Sequence, residues 1–157
     1  MAALHDDDYL AAEGLIMAHL EAELADIQGL KIMTAADVGG VDFMRQHTPA
    51  VHVVYTGDQV PGGNATDEGD YHVLKQRWMA VVAVRSVRDQ VSGKASREAA
   101  GPILSRVLKA LSGWRPGPGY GTLVRINAPV PQYHKGGYVR FPLQFETVLV
   151  TQAASVD

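Results

Sequence analysis

Two long runs of strict alternation constrain this chain more than any other feature. Tyr71 to Arg88 puts Leu74, Trp78, Ala80, Val82 and Val84 at even positions, with Lys75, Arg77 and Arg85 at odd ones. Tyr138 to Thr151 repeats the pattern: Val139, Phe141, Leu143, Phe145, Thr147 and Leu149 face one way, and Arg140, Gln144 and Glu146 the other. A period of two is the signature of a strand with one apolar face, because successive side chains leave a pleated backbone on opposite sides. Two such strands need a second layer to cover the apolar face.

The chain carries two segments able to supply that layer. Ile16, Leu20, Leu24 and Ile27 make a single stripe within a helix read over Tyr9 to Ile27, with Asp6, Asp7 and Asp8 as its cap and Gly29 as its stop. Ile103, Leu104, Val107, Leu108 and Leu111 make a wider stripe in a second helix opened by Ser92 or Ser96 and ended by Gly113. Pro102 inside that pattern requires the helix to start there or to bend. Leu30–Met33, Ala50–Thr56 and Thr122–Ile126 read as further strands, and Thr34–Gln46 fits neither template. Pro142 cannot donate to a ladder, so it favours an edge or a bulge. The expected fold is α+β: a two-layer sandwich in which a mixed, antiparallel-rich sheet of about four or five strands carries two main helices on one face.

With 157 residues and neither an internal repeat nor a break in composition, the chain reads as one domain. Residues 57–70 and 114–121 read as long, mobile loops. No cysteine is present, which removes disulfides, thiolate metal sites and cysteine nucleophiles. The segment Met1–Asp8 lacks the basic start of a secretory signal, and no apolar run is long enough to span a bilayer.

Motifs that carry chemistry are sparse. His5 with Asp6–Asp8 is a helix cap before it is a metal site, because consecutive helical residues diverge. Asp67, Glu68 and Asp70 lack the alternating spacing of a calcium loop. Gly117–Gly121 precedes a strand, and its Pro118 lacks the amide that would hold a phosphate. His52, His72 and His134 stand beside no matched acid or nucleophilic turn. The reading is therefore no catalytic residue, no cofactor and no metal.

Charge is the stronger signal. Residues 1–70 hold 13 acids and two bases, a formal charge of −11, whereas residues 71–157 hold 12 bases and four acids, or +8. The bases include Lys75, Arg77, Arg85 and Arg88 on one strand face, with Arg125 and Arg140 as possible neighbours. Such a face can track phosphates, lie solvated, or meet the acidic half of a second copy.

Several segments taken in order carry a resemblance. They are Gln76-Arg77-Trp78 with Val81-Val82-Ala83-Val84-Arg85, Ala100-Gly101-Pro102, and Gly113-Trp114-Arg115-Pro116. Ala128-Pro129 with Pro131 and Tyr133 follows, then Phe141-Pro142-Leu143 with Phe145 and Thr147. Over Tyr9–Val150 the chain resembles the tail terminator proteins of long-tailed bacteriophages, in particular the Mu-like branch. The resemblance implies a virion protein assembled in the host bacterial cytoplasm. It also implies a six-membered ring that caps the head-proximal end of the tail tube, stops its polymerisation and joins the head. The implied partners are further copies of itself, the tail tube protein and the head–tail connector protein, with no membrane and no specific nucleic acid. A neighbouring joining or minor tail protein and a nucleic-acid-binding module are the alternatives. A head-to-tail ring needs two complementary patches on each subunit. The candidate assembly residues are Lys75, Arg77, Arg85 and Arg140, the acids Asp58, Asp67, Glu68 and Asp70, and the loop residues Trp114, Arg115 and Tyr120.

Overall fold

The computed structural model describes residues 2–34, 46–63, 71–86 and 93–154. Its elements in chain order are α1 (Ala12–Glu23), β1 (Lys31–Thr34), β2 (Ala50–Gln59), β3 (Tyr71–Arg85), α2 (Lys94–Leu111), β4 (Val124–Ile126), β5 (Gln132–Tyr133) and β6 (Tyr138–Gln152). The six strands form one sheet in the order β1-β2-β3-β6-β4, with β5 also pairing β6. Among the described residues, only β1 and β2 run parallel; every other pair is antiparallel. The architecture is the expected α+β fold, with short strands added at the sheet's margins.

The two long alternating runs are β3 and β6. They pair without interruption from Tyr71 opposite Gln152 to Arg85 opposite Tyr138, which makes them the centre of the sheet. Their apolar positions point to the same side, where Trp78 and Phe145 face each other across the strands and are almost fully buried. Val51 and Val53 of β2 extend this side. Ile16, Leu20 and Leu24 from the first helical segment, and Ala100, Ile103, Val107 and Leu111 of α2, close over it as one continuous core.

Several local expectations are corrected. The first helix is shorter than Tyr9–Ile27: Leu24 turns out of helical geometry, and Gly29 (φ 76°) serves a later turn rather than a helix stop. The aspartates act one turn early, since Asp8 accepts the Leu10 amide (3.0 Å) while Ala11 holds the N-cap without a side-chain bond. α2 does not start at Pro102 but runs through it from Lys94; Ser96 is a buried helical residue, and Ser92 lies outside the described residues. Residues 57–59 are strand rather than loop. A register shift between Tyr55 and Gly57 lets β2 continue beside β3, with Asp58 opposite Gln76 and Gln59 opposite Lys75. Pro142 lies in a central strand. It stands opposite Val81, in the stretch between Arg140, which pairs with β5, and Gln144, which pairs with β4. There β6 has no second partner among the described residues, and a missing amide costs no ladder bond on that side.

Candidate assembly surface

The register that builds the core also sorts the charged residues. Odd positions of β3 and even positions of β6 share the side turned away from the helices, so Lys75, Arg77, Arg85, Arg140 and Glu146 lie on one face. Arg125 does not join them: it stands opposite Phe145, on the helix side of the β4 edge. Arg88 lies outside the described residues. Glu146 sits between two of the cations, 3.6 Å from Lys75 and 3.8 Å from Arg77. Arg77 also donates to the Gln59 side-chain oxygen. Arg85 lies over the ring of buried Tyr138, 5.4 Å from its centre. Burial holds the Tyr138 hydroxyl above the usual phenol pKa, against the pull of Arg140 and Arg85.

This face is not uniformly polar. Met79, Val81 and Pro142 line a groove of about 100 Å³ with Pro129, Val130, Gln132 and Arg140. Val130 is 80% exposed at its margin, and Val124 and Val148 are 55% and 43% exposed beside Glu146. Sequence reading saw the cations but not these valines, because alternation identifies the buried face and says nothing of apolar residues on the other.

The acids are distributed differently from expectation. Asp58 is already engaged, accepting a 2.6 Å hydrogen bond from the Tyr9 hydroxyl. Burial, then that bond, raises the Tyr9 pKa well above its normal value; burial and the Asp58 charge raise that of Tyr55. Asp67, Glu68 and Asp70 lie outside the described residues. Asp26, which the sequence did not single out, receives Arg106 in a two-pronged pair at 2.6 and 3.0 Å, and the same guanidinium donates to the Glu23 carbonyl at 2.8 Å. That pair lowers the Asp26 pKa and raises that of Arg106.

Two of the three loop candidates, Trp114 and Tyr120, pack inside the subunit. Trp114 stacks on His19 of α1, with ring centres 4.0 Å apart and planes 4° from parallel, while His19 Nε2 lies 2.9 Å from the Ala110 carbonyl. Tyr120 is buried against His5, and its pKa is raised by that burial. Arg115 is exposed between them. Backbone bonds tie the whole stretch down: Leu4 N to Pro118 O, Gly121 N to Val148 O, and Leu123 N to Trp114 O.

Among the described residues, no group of three histidine or acidic side chains is placed to hold a metal ion. His72 Nδ1 lies 3.2 Å from the Thr151 hydroxyl.

The phage tail terminator protein family model matches residues 6–154, which takes in both helices and all six strands. The chain belongs to the phage tail terminator family. It is accordingly a structural protein of the phage tail and a component of the virion. Among solved structures, it is similar to a chain of the virion of a native gene transfer agent particle. The two share 15% identity over 88% of this chain and 94% of that one, with a TM-score of 0.48. No curated protein matches the chain.

Proposed function

We propose that this tail terminator closes the head-proximal end of the tail tube as a ring of six copies, arrests tube growth and presents the surface that joins the head. The observation that carries the reading is the family match over residues 6–154, which takes in both layers of the sandwich. On this reading the protein acts by binding rather than by catalysis. Its partners on this reading are further copies of itself, the tail tube protein and the head–tail connector. The charged, partly apolar sheet face and the acidic first helix supply the two unlike patches a closed ring requires.

Tail length tests this. Phage lacking the protein is expected to make tubes of uncontrolled length that never join heads, and adding the purified protein to such an extract should restore both properties. Tails of normal length that fail to join would assign the chain to an adjacent joining role. Normal, joined particles would overturn the proposal.

A further inference from the structure

The side of the sheet away from the helices combines two things that a solvated face does not need. Four cations, Lys75, Arg77, Arg85 and Arg140, share it with the carboxylate of Glu146, and exposed Val124, Val130 and Val148 lie among them. On the opposite side of the sandwich the α1 segment has the reverse charge, whereas α2 beside it carries Lys94, Arg97, Arg106 and Lys109 against Glu98. Residues 2–30 contain seven acids and neither Lys nor Arg. Asp6, Asp7, Asp8, Glu21 and Glu23 are exposed there, as are Leu4 and Leu10. Arg106 answers Asp26, which leaves the charges nearer the helix N-terminus unmatched by it.

The two faces are complementary, but the sheet and the helix layer stand between them, so they cannot meet within one subunit. Two sheet faces brought together would oppose like charges, which disfavours a two-fold dimer through that surface. An unlike pair on opposite sides of a subunit is the arrangement that propagates head to tail and closes when the rotation allows.

We infer that the exposed part of this sheet face, around Lys75, Arg77, Val124 and Val148 and away from buried Ala50, His52, Val81, Ala83 and Tyr138, docks on the α1 surface of a second copy. The inference rests on the ring reading and adds which surfaces meet. Glu146 fixes Lys75 and Arg77 in place before contact, and the exposed valines supply the area from which water is expelled. Opposite charge then selects the neighbour's helix over another sheet.

The absence of cysteine makes the test direct. Val148→Cys and Ala22→Cys change one exposed position on each surface. In tails assembled with the doubly substituted protein, a short bismaleimide linker is expected to give a ladder of multimers. Each single variant should stay monomeric, and an equal mixture of the two should add linked dimers. If rings are visible on those tails by electron microscopy but no ladder forms, the interface lies elsewhere and this inference falls while the ring stands. If no ring is present, both fall.

Charge reversal gives an independent reading. Arg77→Glu with Arg140→Glu is expected to lower ring occupancy about tenfold, and adding Glu13→Lys with Glu21→Lys to the same chain to restore it. Circular dichroism confirms that each variant is folded. Occupancy unchanged by the first pair would overturn the assignment.

Discussion

At the scale of single residues, a few contacts hold positions that nothing else can fill. Gly137 is the sharpest. Its φ is 76°, an added Cβ would lie 1.8 Å from the Ser86 carbonyl oxygen, and its own carbonyl accepts from Ser86 N and Ser96 Oγ. Gly137→Ala is expected to destabilise the fold by roughly 3 kcal/mol, from left-handed strain plus overpacking, as read by urea denaturation. Gln76 is a different case: a polar residue on the core face, opposite Thr147. It accepts from the Trp78 indole at 2.9 Å and donates to the Tyr9 carbonyl at 2.8 Å, tying the segment before α1 to the middle of the sheet. Gln76→Leu should cost about 2–3 kcal/mol, because it leaves a buried donor and acceptor without partners. A stability loss below ~0.5 kcal/mol in a chemical melt would show that the network contributes little.

At the scale of elements, the Asp26–Arg106 pair links the segment after α1 to α2. The folded pKa of Asp26 lies below its ordinary value, chiefly because Arg106 donates to it. The pair's contribution is therefore complete above the unfolded carboxylate pKa of about 3.9 and disappears as pH falls through the folded value. Arg106→Ala is expected to lower the melting temperature slightly at pH 7, with the difference from the parent closing in strongly acid solution. Because the pair is solvent-exposed, salt should weaken it as well. The 114–121 stretch, although irregular, is held by both termini of the sandwich: Ala3 and Leu4 press on Gly119 and Gly117, and β6 holds Gly121. The amides of Gly121 and Leu123 should therefore resist hydrogen exchange in the free subunit. Removing residues 1–8 should accelerate exchange there more than in β3 or β6.

At the scale of the molecule, the sheet's two faces have separate tasks. One is the core, from which Trp78→Ala is expected to remove about 3–5 kcal/mol. The other carries the charges and exposed valines that the proposed subunit contact uses. The opposite signs of the two sequence halves partly cancel inside the subunit, through Arg106 with Asp26 and through the cations of α2 beside the acidic α1 segment. On the proposed interface, ring assembly should weaken with ionic strength, a dependence that sedimentation in rising salt would measure.

The central pair of strands, both helices and the fold class were legible in the sequence, because periodicity reports directly which side of an element avoids water. The cation-bearing face of β3 was legible for the same reason. What alternation cannot report is which strands become neighbours. It is pairing that brought Arg140 and Glu146 beside Arg77, sent Arg125 to the other side, and let a proline stand in a central strand. Asp58 read as a free acid until the fold placed Tyr9 against it, and Trp114 and Tyr120 read as loop aromatics until α1 and the N-terminal turn packed on them. The sequence by itself determined what each element must bury. Only the tertiary structure decided which charges were already partnered, because partners distant in the chain meet through packing and register.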